Sequence, residues 1–182
     1  MFTKGSEAMK KIQKLTFIAV LVAQALILHI IEGMLPVIFI TPGAKLGLSN
    51  IITLTSLYML GFKDTFAVLM LRIILNGLLA PNPSGMIYSL TGGVLSLLAM
   101  QVTKAIGKEN VSLIGVSVSG AFFHNVGQII ASSIIIENIN IVLYLPALTL
   151  AGVGTGIFVA ITSNYLLKAL KKLPFYNSLV DY

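Results

Sequence analysis

The chain has 182 residues, 57% of them hydrophobic and only 10% charged, with a mean hydropathy of +0.97. Soluble domains do not combine so much apolar surface with so little charge, so the composition specifies an integral membrane protein. The lack of cysteine excludes disulfides, thiolate metal sites and cysteine nucleophiles, and the net charge of +6 sits at the ends of apolar runs, which points to membrane orientation and away from nucleic acid.

The apolar runs are about 17 to 25 residues long, the length of transmembrane helices, whereas barrel strands would be about 10 residues with strict alternation. The fold class is therefore all-α. Residues 1–14 form a polar lead with Lys4, Lys10, Lys11 and Lys14; Met9-Lys10-Lys11 resembles a natural start, so no function is expected of residues 1–8. The first span is expected over 15–32. Lysines ahead of an apolar run and the Ala23-Gln24-Ala25 triplet also resemble a signal peptide, but the run continues through Ile31, which favours a retained span.

Gly33 to Lys45 follows, an apolar connection that includes Pro36, Pro42 and Gly43. Such a segment is unsuited to water and is read as folded over the outer mouth of the bundle. The second and third spans are expected over 46–60 and 65–79, separated by Gly61-Phe62-Lys63-Asp64 and ended by Ala80-Pro81-Asn82-Pro83-Ser84-Gly85. The fourth, fifth and sixth are expected over 86–105, 111–136 and 141–167, with a membrane domain over 15–172 and a tail over 173–182. Ten of the twelve basic residues fall on the side of the termini, the exceptions being Lys45 and Arg72. That asymmetry predicts six spans with both termini cytoplasmic, in the cell membrane. No repeat of 20 to 50 residues is visible, so nothing in the sequence suggests an inverted-repeat transporter.

The most polar segment inside a span is Gly120-Ala121-Phe122-Phe123-His124-Asn125-Val126-Gly127-Gln128. On a helix, Ser117, Ala121, His124, Gln128 and Ser132 form one stripe, which must face other helices or a cavity because lipid offers no hydrogen bonds. His29 and Glu32 at the end of the first span, Lys45, Asn50 and Thr53 around the start of the second, and Asn76 in the third are expected at the same depth as His124, Asn125 and Gln128. Arg72 lies one turn from Asn76, where an arginine costs about 2.5 to 3.5 kcal/mol on insertion scales and needs a carboxylate, carbonyls or an anionic ligand.

Each group has a structural alternative. Arg72 could pair with Glu32 or Glu137, His124 and Asn125 could join helices, Asn50 could cap the second span, and the two histidines with Glu32 could ligate a metal. The convergence of so many groups from four helices favours a small-molecule cavity, with no metal and no cofactor. Its expected ligand is anionic or phosphate-bearing, with an apolar body against Phe122 and Phe123. If Glu32 and Glu137 neutralise both bases, a neutral or zwitterionic ligand fits instead. Ala19 and Ala23 form a small-xxx-small patch roughly 130° around the first helix from Ala25, His29 and Glu32, which suits close helix packing within this chain or with another.

The lysine-rich start, Ala19-x-x-x-Ala23, Pro42-Gly43-Ala44-Lys45-Leu46-Gly47-Leu48-Ser49-Asn50, Arg72 and His124-Asn125-Val126-Gly127-Gln128 together resemble the Gx transporter family. Its members are also labelled heptaprenyl diphosphate synthase component I. The resemblance covers about Met9 to Lys172 and extends to the substrate-binding S components of energy-coupling factor (ECF) transporters. It implies six helices, a ligand cavity in the outer half and a lid between the first two helices, here Gly33 to Lys45. It also implies docking of the Ala19 and Ala23 face on a transmembrane coupling subunit driven by two ATPases. The enzyme label has little chemical support: the two aspartates, Asp64 and Asp181, are far apart, and there is no P-loop and no nucleophile–base set. The alternative to transport is a non-catalytic membrane subunit that binds or presents an isoprenoid or quinone precursor to an enzyme.

Overall fold

A computed structural model describes residues 2–34, 47–79, 82–174 and 176, with side chains from Met9 onward. Phe2–Met34 form one helix, α1, so the lysine-bearing lead is its opening turns rather than a separate segment. α2 spans Asn50–Met59, α3 Phe62–Leu79, α4 Pro83–Gly107 and α5 Leu113–Ile135. A short 3-10 helix, Ile139–Tyr144, precedes α6, Leu145–Leu170. The α-helical part of the last span thus begins later than Ile141, because Pro146 sits in the first turn, where a missing N–H costs nothing and its fixed φ is already helical.

Six α-helices are present among the described residues, and four stretches are long and apolar enough to cross a membrane: Met9–Met34, Pro83–Gly107, Leu113–Ile135 and Ile139–Leu170. The other two helices have identifiable reasons for falling short. α2 has ten residues, about 15 Å of helix against a hydrocarbon core of about 30 Å. α3 carries Lys63, Asp64 and Arg72 within its 18 residues.

α2 is the centre of the packing. It touches α1, α3, α4 and α6, and every residue from Asn50 to Leu57 is buried, as is Met59. A helix buried on all sides belongs inside a bundle, and its two threonine hydroxyls bond back along the chain: Thr53 donates to the Ser49 carbonyl at 3.4 Å and Thr55 to the Ile51 carbonyl at 2.7 Å. That same carbonyl accepts from Ser163 of α6 at 3.1 Å. Around this axis α3 packs on α4, α4 most extensively on α5, and α5 on α6.

The lysine-bearing ends gather at one end of the bundle. Lys14 near the start of α1 pairs with Asp64 at the start of α3, 2.9 Å apart. Lys104 at the end of α4 donates to the Leu57 carbonyl in the last turn of α2 at 2.8 Å, and its ammonium lies 4.4 Å from the centre of the Tyr58 ring. A cation there satisfies a carbonyl with no intrahelical partner and complements the negative end of the helix.

The α4–α5 contact depends on Gly127. A β-carbon there would lie 2.6 Å from the Thr91 carbonyl oxygen and 2.7 Å from Gly92 Cα, so the two backbones touch. Gly127→Ala is therefore expected to destabilise the bundle by about 1 to 2 kcal/mol through forced separation of α4 and α5. Unfolding in detergent measures this, with Gly154→Ala, where a β-carbon meets nothing within 4 Å, as the neutral control.

Candidate functional site

The polar groups meet where the end of α1, the start of α2 and the middles of α3, α4 and α5 converge. Gly47, with φ of +80°, and Leu48 lead into α2 and turn their backbone N–H groups toward Glu32. Glu32 Oε1 accepts from both, the Leu48 bond measuring 3.3 Å. A single carboxylate oxygen thus ties α1 to the entry of α2. The positive φ and the close Asn50 amide both call for glycine at position 47, where a β-carbon would fall 2.8 Å from Asn50 Nδ2.

Arg72 is 4% exposed and reaches this turn from α3, donating through Nη1 to the Ser49 hydroxyl. Ser49 is the N-cap residue of α2, yet its side chain caps no helical N–H, because it is engaged by the guanidinium. The Glu32 carboxylate is close enough to stabilise the guanidinium electrostatically. On its far side Arg72 lies against α4, where a β-carbon on Gly93 would sit 3.4 Å from Nη2. The glycine pair Gly92-Gly93 lets both Arg72 and His124 approach the α4 backbone.

His124 of α5 packs against Gly92, where a β-carbon would be 3.0 Å from its Nδ1, and lies near Gly47. Its Nε2 is 3.2 Å from Gln128 Nε2, one turn along the same face. The expected α5 stripe is buried throughout, from Ser117 to Ser132. Ser117 at its lower end donates to the Gly156 carbonyl of α6 at 2.7 Å.

Five of the expected site residues are therefore neighbours: Glu32, Asn50, Arg72, His124 and Gln128. His29 is buried one turn before Glu32, and Asn76 is half-buried one turn beyond Arg72. Asn125 faces elsewhere. Its Nδ2 donates to the Leu148 carbonyl at 2.7 Å and lies against Gly152, so it joins α5 to α6. Phe123 is exposed on the outside of the bundle, edge-to-face with Phe122 at 5.3 Å, so it does not supply the apolar wall expected of it. Glu137, expected as a possible counter-charge for Arg72, is exposed just beyond α5 at a φ of +54°. Lys45 and the connection over 35–46 lie outside the described residues, while Gly33 and Met34 belong to α1. Ala19 and Ala23 are exposed on α1, away from Leu21, Ala25, His29 and Glu32, which are buried.

Two polar atoms in the cluster stand out. Arg72 Nε and Asn50 Oδ1 are buried without a hydrogen-bond partner among the described residues. Buried donors and acceptors are nearly always satisfied, and leaving one unmet costs about 1 to 3 kcal/mol. The cluster thus holds one buried donor and one buried acceptor that no described residue satisfies. No His, Asp or Glu group able to hold a metal ion occurs among the described residues, so His29, Glu32 and His124 do not form a ligand set there.

Two roles are not assigned by the sequence: Ser49 is the acceptor that Arg72 needed, and Gly47 gives the backbone room for Glu32, while the Gly92-Gly93 pair, a close-packing point in the sequence, admits Arg72 and His124. Their signal was physical: a buried guanidinium demands an oxygen, and glycines beside polar helix positions allow close approach.

No curated protein and no solved structure matches the chain. The family model for heptaprenyl diphosphate synthase component I matches residues 21–166, which takes in every residue of this cluster, and the chain belongs to that family.

Proposed function

We propose that the chain is a multi-pass subunit of the cell membrane that binds a small anionic or phosphate-bearing molecule in the Glu32–Asn50–Arg72–His124–Gln128 cluster, as the S-component-like part of an uptake system. The observation that carries this reading is Arg72, a buried guanidinium whose Nε has no protein partner among the described residues. Glu32 offsets part of its charge, but the Oε1 oxygen of that carboxylate is already committed to the N–H groups of Gly47 and Leu48. An anion accepting from Arg72 and carrying a donor for Asn50 Oδ1 would satisfy both groups. Six spans with both termini cytoplasmic accord with the lysine-bearing ends lying together.

With no P-loop in the chain, energy must come from partners: a transmembrane coupling subunit on the exposed Ala19 and Ala23 face, and its ATPases. Small residues let a partner helix approach closely. Ala19→Leu and Ala23→Leu are expected to abolish co-purification with that subunit while leaving the unfolding midpoint unchanged, since both positions are exposed. Normal assembly by both variants would defeat the docking reading.

The family's name suggests a second reading, a non-catalytic membrane subunit that presents an isoprenoid or quinone precursor to an enzyme. Affinity purification of the tagged chain from its own membranes separates the two. ATPase-containing partners support uptake; a soluble synthase or redox protein supports presentation.

A further inference from the structure

α1 carries a polar group where a membrane helix has least use for one. Gln24 stands ten residues after Lys14 and eight before Glu32, so about 15 Å and about 12 Å of helix separate it from those charged side chains. It therefore lies near the middle of a span that crosses a hydrocarbon core of about 30 Å. Its side chain is exposed and forms no hydrogen bond among the described residues. Hydrocarbon offers nothing to its two N–H donors or its carbonyl oxygen, and a glutamine at that depth is too short to reach water. Asn164 of α6, also exposed, differs in lying one turn from Lys168, where the interface is within reach.

Gln24 belongs to a seam. Val20, Gln24, Ile27 and Ile31 follow one another at intervals of four, three and four, all exposed, which is the spacing with which two helices interlock. Toward the start of α1 the seam runs into an open cleft of about 360 Å³ between α1 and the end of α6, with Thr16, Phe17, Val20 and Leu170 in its walls. α1 rests chiefly on α3 and α2, so this side stays open to an approaching helix. What covers it must bring a donor and an acceptor to the depth of Gln24, which a lipid tail cannot. A second copy of the chain does so by symmetry alone. Two copies with one orientation in the membrane are related by a two-fold axis along the bilayer normal, and near that axis the two Gln24 side chains meet at the same level. A primary amide is self-complementary: each N–H donates to the other carbonyl oxygen, so the pair closes two hydrogen bonds. One such polar residue in an apolar seam also sets the register of the contact. Ala19 and Ala23 lie about 140° and about 100° around the helix from Gln24, which leaves their face free for another partner.

We propose that the chain self-associates through α1, with Gln24 hydrogen-bonded to Gln24 of a second copy and Val20, Ile27 and Ile31 interlocked around that pair. The contact is independent of the ligand assigned to the Arg72 cluster and of any coupling subunit. The chain contains no cysteine, so single cysteines report on it without background. The full chain carrying Lys108→Cys, an exposed position, is labelled with donor or acceptor dye, and energy transfer is followed as the two populations are diluted with phosphatidylcholine in vesicles. Transfer should fall with dilution, and Gln24→Leu should raise the dissociation constant about tenfold, the effect of losing interhelical hydrogen bonds in lipid. Gln24→Asn should fall between the two. A leucine at this lipid-facing position preserves the fold, which the unfolding midpoint checks. A second measurement needs no change at Gln24: in native membranes, oxidation should join Ile27→Cys or Ile31→Cys proteins into dimers but not Ile157→Cys, whose side chain is exposed on α6. Absence of transfer in the parent, a dissociation constant unchanged in Gln24→Leu, or equal cross-linking at Ile157 overturns the proposal. So does a different membrane protein that the parent retains and Gln24→Leu loses with no second copy present, which would name another occupant.

Discussion

Glu32→Ala is expected to destabilise the protein by about 3 to 5 kcal/mol, the cost of leaving a buried partner charge uncompensated. Two losses combine in this one substitution. Arg72 loses the carboxylate that stabilises it electrostatically, and the N–H groups of Gly47 and Leu48 lose their acceptor at the entry of α2. Because α2 is the axis on which four other helices pack, slack at its first turn is transmitted to the bundle rather than confined to a loop. Glu32→Gln separates the two contributions. Its amide oxygen can still accept from the backbone, so it should recover the part due to Gly47 and Leu48 but not the part due to charge. The double variant Glu32→Ala/Arg72→Leu should be more stable than the sum of the single effects by about 1 to 3 kcal/mol, the size of coupling seen between residues in one network. Unfolding at fixed detergent concentration is measured for the parent, Glu32→Ala, Glu32→Gln, Arg72→Leu and the double variant. Strict additivity would mean that Glu32 and Arg72 do not act as a pair.

The all-α class and the buried face of α5 were legible because each follows from a prohibition. Long apolar runs cannot hide unpaired backbone in lipid unless they are helices, and a stripe from Ser117 through His124 to Ser132 cannot face hydrocarbon. The central position of α2 was not legible, since Ile51, Leu54 and Leu57 read alike whether they face lipid or other helices. Hydropathy reports the absence of water, and both environments lack it. The direction of Asn125 was open for a related reason. Adjacent helical residues point about 100° apart, so His124 and Asn125 cannot share one wall unless the cavity is wide, and here the second turns to α6. Ser49 was hidden by its own commonness at helix starts; only the demand of Arg72 for an oxygen distinguishes it from an ordinary cap.

Arg72→Gln should lower affinity for the anionic small molecule proposed to bind at the cluster by about 2 kcal/mol or more, close to 30-fold, as expected for loss of a buried charge-assisted hydrogen bond. The guanidinium already spends Nη1 on Ser49, while its Nε is buried with no hydrogen-bond partner among the described residues. Glutamine can keep a donor near Ser49, yet it removes both the fixed charge and the fork geometry that suits carboxylate or phosphate. Arg72→Lys separates these two factors, since it keeps the charge and loses the fork; it should bind between the parent and the glutamine variant. Asn50→Leu is the complementary probe. It removes the amide oxygen while leaving Arg72 in place, so it should weaken a ligand that carries a hydrogen-bond donor and leave competition by sulfate, an anion without a donor, unaltered. The measurement is titration in lipid nanodiscs of one composition, with the unfolding midpoint of each variant recorded alongside. A folded Arg72→Gln protein that binds as tightly as the parent would reduce Arg72 to a strut between α3 and the entry of α2, and the anionic-ligand reading would fall with it.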